Sequence, residues 1–369
     1  MKLNEFNILI GNLIVNHISD TQSYANLRQS CQYFYFLMPD VKRFTDNILT
    51  EHIKYKEHLV DGDVSTFFPS GKIKSIALYE RGFITSKQIC WNEKGVLSIK
   101  ENYKNNKKNG KQYYYTDQGN IEKIIDYFDG KPHGKETTYF TCGLIQSIAT
   151  YIRGKRNGMQ IVFDDQGNKY MTKEYNDGYL CGQLKYFYTD GNLKQITNYT
   201  LGMRNGLTKY FDNHGNLLIE LNYKNNLMYG KFKKWEIIDG ESKRSLLCNF
   251  KNGLLEGFYK KYVNGQLYYE CSYQCNMLDG PVAIFENGNV KFETYFNMGK
   301  LDFYHREYIN RSLALNVIFN DNNHVAICKK SDGIILKDDM YIGTTYYRGI
   351  MAKYKSILKD KIDISFIDI

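Results

Sequence analysis

Two columns of aromatic side chains, held at one spacing for most of the chain, constrain this sequence more than any other feature. Stepping by 24 residues from Gly62 reaches Ser86, Gly110, Gly134, Gly158, Gly182, Gly206 and Gly230; the phase then slips and resumes at Gly257, Gly280 and Phe303. Five residues after each of these eleven positions stands a ring, from Phe67, Trp91 and Tyr115 to Tyr308. Seven residues before each stands another, from Tyr55, Tyr79 and Tyr103 to Phe296. Self-similarity at this period marks an array of small supersecondary units.

Each unit reads as a hairpin. In "GKQYYYTDQGNIEKIIDYFDG" two runs rich in aromatic and branched residues flank "TDQGN", a glycine-bearing break that recurs as "DDQGN" and "DNHGN". Such a break supplies the positive φ a turn needs. A second break, "DGKPHG" or "RGKRNG", joins one hairpin to the next. The fold expected is mainly β: an elongated single-sheet antiparallel meander of about eleven hairpins. At strand spacing it would extend on the order of 100 Å. If Tyr115 pairs with Ile121, alternation is expected to put Tyr113, Ile125 and Tyr127 on its face. The two columns would then be two rows of one hydrophobic face. The stretch "KWEIIDGESKRSLLCNF", where the phase slips, is expected to hold a bulge or an enlarged loop.

The ends of such a sheet need covers, because open edges recruit other chains. Residues 1–54 show helical spacing in three runs: Phe6, Leu9, Leu13; then Leu27, Cys31, Phe34, Leu37; then Val41, Phe44, Ile48, Leu49. Three short helices are expected there, the array over 55–308, and an irregular β-rich cap over 309–369. In that cap "LALNVIFNDNNHVAICKK" reads as two strands around an Asn-Asp turn, with a short helix over Met351–Leu358.

The repeating pattern, Y-x-x-G-x-x-x-G-x-x-x-x-Y/F-x-x-x-G, resembles the variant MORN repeat found in bacterial antitoxin-like chains and giant-virus proteins. The resemblance covers Tyr55 to Tyr308, with Ser86 in place of one glycine. It implies a scaffold or binding surface. The N-terminal order S-Y-x-x-L-R-x-x-C-x-x-F-x-x-L, over Ser23–Leu37, resembles an F-box. That likeness implies docking of a Skp1-type ubiquitin-ligase subunit, with Phe6, Leu9, Leu13, Leu27 and Phe34 as docking or core residues. F-box-like heads joined to repeat arrays occur in giant viruses.

Charge narrows the classes further. The chain carries a net +9, yet the first 54 residues balance five basic against five acidic side chains. The excess is spread over the array and is mild for a nucleic-acid binder. Lysine interleaved with rings would suit a base-stacking platform, but rings at an invariant phase are what packing demands, so nucleic acid is disfavoured as a partner. Lys107, Lys108, Lys131, Lys155, Arg156 and Arg204 fall in the glycine-to-glycine turns. They are expected to line one edge that either keeps the sheet soluble or meets anionic lipid or a phosphorylated partner.

The eight cysteines lack zinc spacing and read as free thiols of a reducing compartment. The N-terminus is a poor signal peptide, and a cytoplasmic location is expected, in a host cell if the source is viral. No phosphate-cradling loop, nucleophile elbow or His-x-x-x-His occurs. The expectation is therefore a non-enzymatic adaptor without cofactor or metal, binding a Skp1-like protein and an unknown target. The alternative is a membrane-apposed scaffold.

Overall fold

The computed structural model describes residues 40–45, 48–56, 59–319, 325–330, 335–337 and 340–357. Among these residues lie 32 strands and one helix, Met340–Ile357. The chain divides into two units, Met1–Gly191 and Asn192–Ile369. In each, consecutive hairpins join into an antiparallel meander, as expected from the repeat.

Two kinds of turn alternate, and local chemistry separates them. At the "TDQGN" break, the Thr116 amide donates to the Asn120 carbonyl (2.8 Å) and the Gly119 amide to the Thr116 carbonyl (2.9 Å). Gly119 takes φ +87, as the sequence requires. At the other break two successive residues are left-handed, as in Asp129-Gly130 (φ 49 and 79), Arg153-Gly154 (50 and 88) and Asp177-Gly178 (50 and 88). That pair of positive φ values is the primed turn whose twist suits a two-residue hairpin.

Tyr115 pairs with Ile121, but the remaining partners correct the expected face. Lys123 opposes Tyr114, Ile124 opposes Tyr113, Ile125 opposes Gln112, and Tyr127 opposes Gly110. One extra residue, Glu122, is inserted beside the glycine loop, and a one-residue slip moves every later side chain to the other face. Tyr113 and Tyr115 therefore share one face, while Ile125 and Tyr127 share the opposite one with Gln112. The two aromatic columns lie on opposite faces of the sheet.

The phase-zero glycine stands directly across from the second column: Gly134 opposes Tyr151, Gly158 opposes Tyr175, and Gly206 opposes Tyr223. It also sits at a bulge with positive φ (+111 at Gly134), where a Cβ would come within 2.9 Å of the Asp126 Cβ. At Gly134 backbone conformation and space both oppose a side chain; at Gly230 and Gly257 only the positive φ does.

Beside the second column runs a row of directly opposed residues that carries the core. In the first unit it reads Ala77, Gln88, Glu101 and, further on, Gln112, Ile125, Glu136, Ala149. Gln112 is fully buried because its amide repairs a gap in strand pairing. Its Nε2 donates to the carbonyls of Asn102 (2.9 Å) and Gly110 (3.0 Å), and its Oε1 accepts from the Asn102 amide (2.9 Å). In the second unit the corresponding row is mostly apolar: Phe232, Cys248, Tyr259, Cys271, then Val282, Thr294, His305, Val317. Ile350 and Tyr354 of the helix join that core.

Two expectations for the ends change, and the phase slip takes a definite form. Val41, Phe44, Ile48 and Leu49 do not form a third helix: Asp40–Thr45 and Ile48–Lys56 are paired strands, with Val41 opposite Ile53. Their steps of three, four and one residues suit the helical period, but pairing with the sheet overrides that local spacing. The first two helical runs lie outside the described residues. The segment "KWEIIDGESKRSLLCNF" holds the bulge of the two expected alternatives, at Lys234/Trp235, and no enlarged loop; its strands Gly230–Ile238 and Glu241–Lys251 lengthen and close through the two-residue turn Asp239-Gly240. The C-terminal region continues the sheet through Ser312–Phe319 and Val325–Lys330, which pair as expected. Its helix spans 18 residues, Met340–Ile357, rather than the short helix expected over Met351–Leu358.

Candidate partner-binding face and turn edge

Successive primed turns stack on one another. The Gly130 amide donates to the Lys108 carbonyl (2.9 Å), Gly154 to Pro132 (2.7 Å), and Gly178 to Arg156 (2.8 Å). This ladder places position −3 of one unit (Lys107, Lys131, Lys155) against the turn of the next. Cβ atoms built on Gly130, Gly154 and Gly178 lie 3.7, 3.9 and 3.8 Å from the Cβ atoms of Lys107, Lys131 and Lys155.

The six predicted basic residues split into two groups. Lys107, Lys131 and Lys155 are exposed at the turn edge. Lys107 pairs with Asp129 at 2.6 Å and Lys155 with Asp177 at 2.7 Å, each acid 22 residues on and in the stacked turn. Lys131 differs, because the residue 22 positions on is Arg153.

Lys108, Arg156 and Arg204 instead fold onto the second aromatic column. Each opposes one tyrosine across the strands (Tyr103, Tyr151 and Tyr199) and reaches toward another. Lys108 ion-pairs with buried Glu101 and lies 5.6 Å from the Tyr127 ring centroid. Burial opposes its charge, but hydrogen bonds to Glu101 and Tyr114 outweigh that and raise its pKa. Glu101 also accepts from the Tyr103 hydroxyl (2.6 Å). Burial and this bond push the phenol well above its ordinary range. Arg156 lies 5.6 Å from the Tyr175 ring and donates to the Tyr151 hydroxyl (3.0 Å) and to Gln160 Oε1 (3.1 Å). Arg204 lies 5.2 Å from the Tyr223 ring. These are cation–π contacts between neighbouring repeats. Tyr103 and Tyr151 belong to the second aromatic column, whereas Glu101 and Gln160 were not singled out from sequence. One signal was available: the cations at position −2 recur every 48 residues, at 108, 156 and 204. Phe6, Leu9, Leu13, Leu27 and Phe34 lie outside the described residues.

In the second unit the helix is anchored by polar contacts as well as by its apolar side. Lys353 pairs with Glu307 (2.9 Å) and stands 3.4 Å from the Phe292 ring centroid. Fully buried His305 joins Glu307 through Nε2 (3.0 Å) and meets the Tyr354 hydroxyl through Nδ1 (3.3 Å). The hydrogen bond from His305, helped by Lys353 and set against burial, brings the Glu307 carboxyl down to about 2. Burial likewise pushes the Cys271 thiol up to about 12, the mark of an inert core cysteine.

Among the described residues no group of three or more His, Cys, Asp or Glu side chains is arranged to hold a metal, and no helix is long and apolar enough to cross a membrane.

No curated protein matches the chain. Among solved structures, that titled "Crystal Structure of TcdB2-TccC3-Cdc42" is 13% identical, with a TM-score of 0.16, over 80% of this chain and 17% of that one. The structure titled "Crystal Structure of TcdB2-TccC3 without hypervariable C-terminal region" is 11% identical with the same coverage and TM-score. The chain thus spans about a sixth of the length of those chains, and at this TM-score the likeness carries no structural argument. The MORN repeat variant model matches residues 60–81, 180–200 and 204–225. Each match begins two residues before a phase-zero glycine, in register with the hairpins. Three matches in the phase of the structural period support a MORN-repeat protein.

Proposed function

We propose that this chain is a non-enzymatic adaptor. Its hairpin array is a scaffold that holds a target protein, and its first 54 residues recruit a Skp1-type ubiquitin-ligase subunit in the cytoplasm. The observation that carries the scaffold reading is the contrast between the two units. The second unit's row is mostly apolar and takes up Ile350 and Tyr354 of the helix, whereas the first unit's row mixes Gln88, Glu101, Gln112 and Glu136 with small or apolar residues and is bordered by half-buried tyrosines and cations. A surface of that composition, with aromatics and arginine beside satisfied polar groups, matches the make-up of protein-binding patches. The recruiting role rests on the F-box-like pattern at Ser23–Leu37. Pairing of Lys107 and Lys155 with aspartates makes the turn edge alternate in sign, which favours a protein partner over an anionic membrane.

Native affinity purification of the full chain from a eukaryotic lysate tests both halves. A Skp1 homologue should co-purify and be lost with Leu27→Ala/Phe34→Ala, while the array's own partner stays bound. Recovery of no Skp1 homologue removes the recruiting role. Recovery of no partner at all removes the scaffold reading.

A further inference from the structure

We propose that the stacked turns bearing Lys131, His133 and Arg153 dock an acidic peptide segment of a partner protein. This rests on the scaffold reading and assigns that partner a chemistry and a place. In the turns on either side, the lysine at position −3 is neutralised by an aspartate 22 residues later: Lys107 by Asp129, Lys155 by Asp177. At the turn between them the aspartate's place is taken by Arg153. The stacking geometry is unchanged there, with Gly154 donating to Pro132 and packing on Lys131. Two cations therefore occupy the positions at which each neighbouring turn holds an ion pair.

The surroundings add a hydrogen-bond donor and leave the positive charge uncancelled. His133 is exposed, and its Nδ1 accepts from the Arg153 amide (3.4 Å), which leaves Nε2–H as a donor. The nearby acids are committed: Asp129 to Lys107, Asp177 to Lys155, and Asp126 to Lys111 (3.1 Å). Beside the cations, Phe128 is 65% exposed and tilted against His133 (centroids 5.9 Å apart), and Ile152 is 50% exposed. Large apolar side chains next to unneutralised cations complement a segment in which acidic and apolar residues alternate. A flat anionic membrane would meet Asp129 and Asp177 along with the cations; a peptide spanning about two turns, on the order of 10 Å, meets the cations alone.

Arg153→Asp is the informative variant, because it restores the ion pair of the neighbouring turns. Asp occupies this left-handed position at Asp129 and Asp177 (φ 49 and 50), so the fold should be kept or slightly improved. The probe is a fluorescein-labelled tetrapeptide, Glu-Phe-Glu-Leu, about 13 Å when extended, followed by anisotropy, with a Lys-for-Glu peptide as control. The full chain should bind the acidic peptide alone, and about tenfold more weakly when salt rises from 0.05 to 0.5 M, roughly the range over which the screening length shortens severalfold. Arg153→Asp should weaken binding at least about tenfold with its melting temperature unchanged, the size of effect expected when a cation is replaced by a like charge. Asp177→Arg, which creates a second such notch, should strengthen it. Failure of the wild-type chain to bind, or equal binding by wild type and Arg153→Asp, overturns the proposal. So does flotation with anionic vesicles that Arg153→Asp abolishes while peptide binding is absent. If the full chain still recovers its partner in any of these cases, the scaffold reading stands and only this docking site falls.

Discussion

Gly134→Ala separates the two reasons for the phase-zero glycine. At φ +111 a non-glycine residue is held outside the favoured left-handed well, at a cost of roughly 1–3 kcal/mol. The added methyl would also lie 2.9 Å from the Asp126 Cβ, closer than such atoms normally approach. Asp126 cannot simply swing away. It lies within Ile121–Phe128, a strand paired on both sides, and its carboxylate holds Lys111 and the Lys135 amide (3.3 Å). Forcing these apart adds about 1–3 kcal/mol, the usual range for overpacking. Gly143→Ala provides the control, since it has positive φ (+89) but nothing within 4 Å of its new Cβ. Gly134→Ala should therefore destabilise more than Gly143→Ala by about 1–3 kcal/mol, that overpacking share. Hydrogen exchange is the assay. In a linear array the loss of protection should stay within Ile121–Phe128, Lys131–Tyr139, Ile145–Ile152 and their immediate neighbours. Equal losses for the two variants would refute the close-approach argument. Uniform loss along the first unit would refute the linear one.

Other outcomes follow from burial, backbone and charge. Phe232→Ala removes a fully buried ring and should cost about 3–5 kcal/mol by chemical unfolding. Tyr139→Ala and Phe163→Ala, whose rings are half-buried, should cost roughly half of that. Leu201 sits exposed at φ +50, so Leu201→Asn should raise stability by about 0.5–1 kcal/mol, read as a higher melting temperature. Glu307's folded-state pKa is depressed from an ordinary 4.5 to about 2, so its contribution is complete above the ordinary value and fades as pH falls toward 2. Amide protection over residues 348–357 should drop in that window for the wild type, and Glu307→Gln should abolish the pH dependence.

The primary structure by itself determined the period, the element type and the turns. Rings at a fixed phase and glycines at fixed offsets leave few alternatives to hairpins, and Gly119 and Gly167 take the positive φ their places demanded. These are local matters of steric preference, and one chain segment suffices to read them. Tertiary structure decided the rest, because it depends on partners remote in sequence. The bulge at Glu122 reversed face parity and put Tyr115 and Tyr127 on opposite sides. Sheet pairing drew Val41 and Ile48 into strands although their spacing suits a helix. The basic edge looked continuous along the chain. Only the stacking of turns, which brings residues 22 apart together, showed that Lys107 and Lys155 are neutralised. The same stacking turned Lys108 and Arg156 inward onto tyrosines of the next repeat, leaving Lys131 and Arg153 as like charges at the positions that hold ion pairs in the neighbouring turns.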